Sequence, residues 1–255
     1  MTQVRYEIRD QVAEILFDNP PVNALSESML DDYLARLQAA ADDPAVRAVI
    51  VSSAVPGCFS AGLNLRSIQH EPASVRRLLE RLYIKLTHVQ YTLGKPSIAA
   101  VTGSARGGGM TLAISCDVIV GSASATFGYP EIDAGVLPAI HFTHLPRIVG
   151  RHRAFELLFS GRSFPAQEAK ELGLLSRVVP EAEVMQEARM MAQVFCGKSR
   201  EVVRMGRAAF MDANDHGFRA AVASAVETFC DVAGSADAKE GMAAFIEKRK
   251  PVWSR

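Results

Sequence analysis

The 255-residue sequence predicts an α/β fold, and the order of its hydrophobic segments is the main reason. Strand patterns alternate with helix patterns to about residue 130, which is typical of a layered α/β core. After residue 145 almost every segment has helix spacing. Hydrophobic residues make up 49% of the chain, so there is enough apolar material for a large core. We therefore expect an α/β core followed by a helical region.

Charge and cysteine usage argue against several classes of function. The 28 basic and 28 acidic residues give no net charge, so no attraction to nucleic acid or to a membrane surface is implied. The N-terminus is polar, and no apolar run has the length of a bilayer span. The four cysteines are far apart, which favours reduced thiols in a cytoplasmic protein over a zinc site: Cys58, Cys116, Cys196 and Cys230.

The first elements are predicted to be a hairpin, a helix and a strand. Apolar and polar residues alternate over residues 4–8, and an apolar run follows at 13–17, which together predict a β-hairpin. Ser26 is a suitable N-cap for a helix that runs to about Ala41. The apolar run over residues 48–52 predicts a buried strand.

The middle of the chain continues the alternation. Leucines at helix spacing predict a helix over residues 72–93, which the Lys95–Pro96 pair ends. Residues 97–102 predict a short strand that leads into a glycine-rich turn and a short helix. Further strands are predicted over 117–120 and 125–128. Glycines and prolines then separate a series of predicted helices, over residues 145–159, 165–172, 181–196, 198–213, 215–233 and 236–248.

The glycine-rich turn, GSARGGG over residues 103–109, has three possible explanations. A phosphate loop is the first, but the spacing is not that of a dinucleotide-binding motif and no Lys-Ser/Thr pair follows. Tight packing between a strand and a helix is the second. The third is that the glycines let backbone N–H groups approach a ligand oxygen. A second small-residue turn, within residues 58–65, also follows a buried strand, so two such turns can supply two convergent donors.

A set of motifs resembles the enoyl-CoA hydratase/isomerase (crotonase) superfamily in order and spacing. The resemblance covers nearly the whole chain and implies a spiral of ββα units, expected over residues 1–195, with a helical C-terminal trimerisation region, expected over residues 196–255. It also implies an acyl-CoA thioester substrate, assembly as a homotrimer or dimer of trimers, and no cofactor beyond the coenzyme A of the substrate. The motifs are NPPVNAL, FSAGLNL, ARGGG, FGYPEI, AKELGL and EGMAAFIEKRKPVW, beginning at residues 19, 59, 105, 127, 169 and 240.

The resemblance also implies roles for individual residues. The backbone N–H groups of Ala61 and Gly108 are expected to hold the thioester oxygen, and Glu131 is expected to move the proton. Val22 and Ala24 are expected beside coenzyme A. Phe245 and Lys248 match tail positions that meet coenzyme A in the family, although ordinary core and surface roles explain them equally well. The remaining predicted substrate contacts are Asn64, Leu65, Thr111, Pro130 and Gly135.

Thr111 favours one reaction over another. Hydratases of this superfamily use two glutamates, and Thr111 occupies the position of the first, whereas Glu131 matches the second. A threonine hydroxyl does not serve as an acid or base near neutral pH. One carboxylate is enough to move a double bond from C3 to C2, so we expect a Δ3,Δ2-enoyl-CoA isomerase. Enoyl-CoA hydratase is the alternative, and a non-catalytic CoA-ester-binding or scaffold protein is the alternative of another class.

Other polar residues near these motifs have two interpretations each. His141 and His144 could be acid–base groups, but a histidine at the start of a helix is more often packed or at the surface. Arg106 could reach a coenzyme A phosphate or lie on the surface. Asp133 could substitute for the missing acid, although its position is not the one the family uses.

Overall fold

The computed structural model describes residues 3–65, 72–215 and 217–253, which form two sheets surrounded by helices. The larger sheet has the strand order β1-β2-β3-β5-β7-β10 and the smaller one β4-β6-β8-β9. The strands of the larger sheet are β1 (Val4–Arg9), β2 (Val12–Phe17), β3 (Ala48–Ser53), β5 (Ser97–Val101), β7 (Val118–Ser122) and β10 (Arg177–Val179). Those of the smaller sheet are β4 (Cys58–Ser60), β6 (Ser104–Arg106), β8 (Thr126–Gly128) and β9 (Ser163–Pro165).

The helices occupy the segments between strands and the C-terminal region. A π-helical segment, Glu80–Lys85, joins the second helix to the third, and short 3-10 turns occur at Pro130–Ala134 and Glu181–Glu183. The α-helices are α1 (Glu27–Asp42), α2 (Pro72–Leu79), α3 (Leu86–Thr92), α4 (Gly108–Ile114), α5 (Ala139–Val149), α6 (Arg151–Ser160), α7 (Ala166–Glu171), α8 (Val184–Cys196), α9 (Arg200–Asp215), α10 (Phe218–Ala233) and α11 (Ala236–Glu247).

The chain repeats a ββα pattern. A strand of the larger sheet is followed by a short strand of the smaller sheet and then by helical structure, first with β3 and β4 and again with β5 and β6. Consecutive repeats pair in parallel in both sheets, β3 with β5 and β4 with β6. The predicted α/β fold with a spiral of ββα units is therefore confirmed.

The early elements match their sequence signals. β1 and β2 form the expected antiparallel hairpin, with Val4 paired to Phe17 and Arg9 to Val12. The Ser26 side chain accepts a hydrogen bond from the Met29 backbone N–H at 3.2 Å and caps α1, which satisfies one of the free donors of the first turn.

The core lies on both faces of the larger sheet. Fully buried side chains such as Phe17, Tyr33 and Phe59 fill the side that faces α1 and the smaller sheet. On the other face, α8 covers β2, β3, β5 and β7 with small apolar residues, including Val184 and Ala188. Because the strands are covered on both faces, they consist of nearly continuous apolar runs instead of alternating ones.

The structure differs from the predicted elements in several places. The segment predicted as one helix over 145–159 forms two, because the chain turns at Gly150 between α5 and α6. Four strands that the sequence did not indicate, β4, β6, β9 and β10, have three residues each, too few for a recognisable period. The helix predicted over 215–233 begins at Phe218, and its residue 216 lies outside the described residues.

The C-terminal helices α9 to α11 follow β10 and α8, as the predicted helical region requires. The division between residues 195 and 196 falls at the end of α8, and two separate regions stay a prediction. In the described ranges, no helix combines the length and apolar character that a bilayer crossing demands.

Candidate active site

The parallel pairing of the smaller sheet brings three turns together. β4 pairs with β6, and β6 pairs with β8, so that Ser60, Ala105 and Phe127 are neighbours in register. The carboxyl ends of parallel strands meet at the same edge of a sheet. The turns that follow these strands contain Gly62, Gly108 and Glu131, and they lie side by side at this edge of the smaller sheet.

The first two turns touch through their backbones. Gly62 has a φ of +88°, and a Cβ placed on it would lie 2.8 Å from the Arg106 carbonyl oxygen and 3.1 Å from the Gly108 nitrogen. Contacts of this kind leave no room for any side chain. A glycine at position 62 is therefore required for the two turns to approach each other.

The backbone donors of these turns correct one prediction. The Ala61 N–H, expected to hold a thioester oxygen, donates to the Val22 carbonyl at 2.9 Å and is already paired. Leu63 pairs with Leu25 as a parallel bridge. The Gly62 carbonyl accepts a hydrogen bond from the Leu25 N–H, and the Asn64 N–H donates to the Leu25 carbonyl. The Leu63 N–H lies between these two groups and therefore points away from Leu25. Leu63 directly follows Gly62 in the sequence, and this position after a tight glycine turn could have indicated that its N–H, and not that of Ala61, is free.

Two backbone donors are therefore available beside each other. Among the described residues, no acceptor is found for the N–H of Leu63 or of Gly108, which begins helix α4. The surroundings are apolar, since a Cβ on Gly108 would lie 3.1 Å from side-chain atoms of both Leu25 and Leu82. Donors in such surroundings interact strongly with a negative oxygen.

The third turn presents a carboxylate to the second. A Cβ on Gly107 would lie 2.8 Å from Glu131 Oε1, and Gly107 has a φ of +48°. Glu131 Oε2 is buried and has no hydrogen-bond partner within the described part of the chain. Burial raises the pKa of Glu131 to about 7, because removal from water disfavours the charged form. A carboxyl group with this pKa can accept and return a proton near neutral pH.

Two buried tyrosines share the environment of this carboxylate. The pKa values of Tyr83 and Tyr129 are both raised, mainly because the hydroxyl groups are buried and to a smaller extent because the charge of Glu131 is near. Tyr83 lies in the π-helical segment, a distortion that often occurs at functional sites, and the sequence analysis did not identify it.

Thr111 lies one helical turn after Gly107, and its partner is a histidine. Both Thr111 and His141 are buried, and Thr111 Oγ1 lies 3.3 Å from His141 Nε2. Burial lowers the pKa of His141 to about 3, with a smaller contribution from His144. Burial likewise lowers the pKa of His144 to about 4. Both imidazoles are therefore neutral near pH 7.

Most of the other predicted contacts lie in or next to these turns. Val22 is exposed and Ala24 is half-buried, and both precede the Leu25–Leu63 bridge. Asn64 and Leu65 follow Leu63 and are half-buried. Pro130 begins the 3-10 turn that contains Glu131. Contact of any of these residues with substrate stays a prediction.

Three predicted contacts lie elsewhere in this chain. A Cβ on Gly135 would lie 2.7 Å from the Asp237 carbonyl oxygen, so Gly135 packs against the start of α11. Phe245 is 63% exposed on α11, and Lys248 caps that helix with a φ of +54°. Both have their side chains at the surface of the chain, and their expected role beside coenzyme A stays a prediction.

Arg106 and Asp133, both considered in the sequence analysis, point away from the three turns. The Arg106 guanidinium donates to Thr126 O at 2.6 Å and to Thr126 Oγ1 at 2.7 Å, so it links β6 to β8. Asp133 is exposed, and its carboxylate lies against Gly161.

Two unpaired amide donors and a buried carboxylate, grouped around one glycine turn, define a class of site. Such a site can hold an oxygen that becomes negative while a neighbouring carbon loses a proton. Comparison with known sequences and structures shows the family to which the chain belongs.

The chain matches the sequence model of the family described as enoyl-CoA hydratase/isomerase over residues 7–255. It is 33% identical over 257 residues to a probable enoyl-CoA hydratase of Bacillus subtilis, covering 98% of each chain. It is also 33% identical over 245 residues to a crotonyl-CoA hydratase of Syntrophomonas wolfei, covering 95% of this chain and 94% of the relative.

The solved structures agree with the sequence comparison. An enoyl-CoA hydratase/isomerase from Pseudoalteromonas atlantica superposes with a TM-score of 0.86 at 26% identity, covering 99% of this chain and 100% of that one. The chain therefore belongs to the enoyl-CoA hydratase/isomerase family, and it is an enzyme of that family.

The contact between the first two turns gives a test with a matched control. Gly62→Ala should reduce turnover by at least about tenfold, because its Cβ would push the Arg106 carbonyl and the Gly108 nitrogen away. Gly57→Ala is the control, since Gly57 has a φ of +68° and nothing lies within 4 Å of its Cβ position. Both variants bear similar backbone strain, of about 1 kcal/mol.

Steady-state kinetics and thermal unfolding of the two variants make the comparison. Equal turnover in Gly62→Ala and Gly57→Ala, at equal stability, would contradict a functional contact between the turns.

Proposed function

We propose that this enzyme shifts the double bond of an enoyl-CoA thioester from C3 to C2. The observation that supports this proposal best is that the site has one buried carboxylate, Glu131, and a threonine at position 111, where hydratases of the family have their other glutamate. The Thr111 hydroxyl contacts the neutral imidazole of His141. Neither Thr111 nor His141 therefore supplies the second acidic group that addition of water uses in the family.

The proposed reaction has two proton transfers. The thioester oxygen accepts hydrogen bonds from the N–H groups of Leu63 and Gly108. Glu131 takes a proton from C2, and the electron pair of that C–H bond forms a C1–C2 double bond while the carbonyl electron pair moves onto the thioester oxygen. The resulting dienolate is conjugated with the C3–C4 double bond, so C4 can accept a proton. Glu131 then returns the proton to C4, which leaves the double bond between C2 and C3. A carboxylate and hydrogen-bond donors cooperate in this way in ketosteroid isomerase.

The substrate in this proposal is an acyl-CoA thioester, and coenzyme A enters as part of the substrate. Proton transfer alone balances the reaction, so it calls for neither a metal ion nor a redox group. Val22, Ala24, Asn64 and Leu65 are proposed to contact the substrate because they flank the first donor turn. A cytoplasmic location stays a prediction from the sequence.

Addition of water to a 2-enoyl-CoA is the second candidate. The names of the relatives favour it, since those from Bacillus subtilis and Syntrophomonas wolfei are a probable enoyl-CoA hydratase and a crotonyl-CoA hydratase. Family membership with an intact carboxylate counts against the non-catalytic alternative.

The two reactions can be compared directly on the purified protein. We expect conversion of 3-hexenoyl-CoA to 2-hexenoyl-CoA to be faster than hydration of crotonyl-CoA, because one carboxylate suffices for the first reaction only. The absorbance of the conjugated thioester measures both. Efficient hydration without isomerisation would reject the proposal and establish the second candidate.

Glu131→Gln should reduce turnover by roughly 10²–10⁴-fold while binding of CoA esters is retained, because the amide keeps the shape and loses the base.

In the parent enzyme kcat/KM should rise as the pH increases through about 7, since the carboxyl group must lose its proton to act as a base. His141 should add no transition between pH 5 and 9, because its pKa lies near 3.

Asp133→Asn is the matched control, since this carboxylate is exposed and two residues away. Its turnover and pH profile should stay near those of the parent enzyme. A strong loss of turnover in Asp133→Asn, with little change in Glu131→Gln, would show that Glu131 is not the base.

We also propose that the enzyme is a closed homotrimer or a dimer of trimers. Large apolar side chains are exposed on the C-terminal helices, with Val202, Met205 and Phe210 on α9 each more than half exposed. Multi-angle light scattering should give a mass of three or six chains. A monomer at micromolar concentration would reject this assembly, and with it a contribution of Phe245 and Lys248 to a neighbouring site.

A further inference from the structure

Beside the proposed base, two aromatic side chains have buried polar atoms without partners. Tyr129 and His141 have essentially no exposed surface. Within the described residues, neither the Tyr129 hydroxyl nor His141 Nδ1 has a hydrogen-bond partner. Buried polar atoms are nearly always paired in folded proteins. Two such atoms on neighbouring side chains of the candidate site are therefore a place where a polar group of a ligand could be bound.

The two rings contact each other and are fixed in place. Their centroids lie 4.5 Å apart, and the planes are inclined by 57°. His141 is held from its other nitrogen, since Nε2 lies 3.3 Å from Thr111 Oγ1. The Tyr129 ring also packs near Phe164, with centroids 6.2 Å apart. The unpaired atoms are therefore part of a rigid wall.

This wall adjoins the reacting centre. His141 contacts Thr111, whose backbone N–H donates to the Gly107 carbonyl at 3.2 Å, and the Glu131 carboxylate lies against the Cα of the same glycine. Tyr129 precedes Glu131 by two residues, and the charge of Glu131 acts on its hydroxyl. Tyr129 and His141 therefore neighbour the turns at which the substrate carbon C2 is proposed to lie.

The hydrogen-bonding groups of Tyr129 and His141 favour a ligand with an uncharged oxygen. A neutral imidazole nitrogen accepts or donates one hydrogen bond, depending on its tautomer, and a phenol hydroxyl can do both. A carboxylate or ammonium group would find no opposite charge on these two side chains. A hydroxyl or ketone oxygen matches both, whereas a plain hydrocarbon chain leaves both atoms unpaired.

We propose that Tyr129 and His141 form a subsite for a hydroxyl or ketone oxygen on the acyl chain, so that the preferred substrates are oxygenated acyl-CoA thioesters. This subsite rests on the proposed function only in requiring an acyl-CoA thioester as the ligand. Thr111 is a positioning residue in this arrangement, because it holds the imidazole from the side opposite to Nδ1.

Binding without turnover tests the subsite separately from the reaction. Isothermal titration calorimetry would compare saturated six- and eight-carbon acyl-CoA esters with the same esters bearing a hydroxyl or ketone at C4, C5 or C6. At least one oxygenated ester should bind about tenfold or more tightly than its unsubstituted parent, because only the oxygen pairs both buried atoms. Equal affinity across the whole panel would overturn the proposal.

Substitutions of the two rings locate the preference. Tyr129→Phe should remove most of it, and so should His141→Gln, whose amide reproduces the Nε2 position and leaves the Nδ1 position empty. His141→Asn reproduces the Nδ1 position instead and should retain the preference. Each variant should bind the unsubstituted ester within a few fold of the parent enzyme, which also reports that the site is folded.

Three further outcomes are decisive. A preference that survives both Tyr129→Phe and His141→Gln would place the oxygen elsewhere and overturn the subsite. Tighter binding of unsubstituted esters, with hydration of crotonyl-CoA that Tyr129→Phe abolishes, would mean that water fills the position and would also overturn it. A clear oxygen preference in an enzyme that isomerises no ester would reject the proposed reaction and support the subsite.

Discussion

The parallel pairing of three short strands is the constraint on which the site depends. β4, β6 and β8 contribute three residues each, and their register aligns the turns that begin at Ala61, Gly107 and Tyr129. Each strand follows a longer strand of the larger sheet, so the buried β3, β5 and β7 fix where each turn begins. The rigid core therefore holds the three turns of the site in fixed positions relative to each other.

Burial then determines the protonation of the groups that the turns present. The same loss of water raises the pKa of Glu131 and lowers the pKa of His141, because it disfavours a negative and a positive charge alike. The result is a carboxyl group that titrates near neutral pH beside an imidazole that stays neutral. An apolar environment therefore gives the site a carboxyl group that can carry a proton and an imidazole that stays uncharged.

The C-terminal helix supports the turn that contains Glu131. Cβ atoms on Gly135 and Gly241 would lie 2.7 Å and 2.5 Å from the carbonyl oxygens of Asp237 and Ala134, so the two backbones are in direct contact. The 3-10 turn is therefore held between the smaller sheet and α11. The helical region that the sequence suggests for assembly also has a structural role within one chain.

The sequence by itself determined the α/β class, the hairpin, the capped helix α1 and the glycine-rich turn before α4. These features depend on local periods, caps and turn residues that are read from neighbouring positions. It also identified Gly108, Glu131 and Thr111 by motif. Only the tertiary structure decided which backbone donor is free, because the pairing of Ala61 with Val22 joins segments almost forty residues apart.

The contacts of Thr111 with His141, and the placement of Tyr83 near Glu131, were also decided by the tertiary structure. Thr111 and His141 are 30 residues apart and come from different helices. No local pattern specifies such a contact, since it follows from how α4 and α5 pack around the core. Sequence determines which residues are available to the site, and packing across distant segments determines their partners, burial and charge.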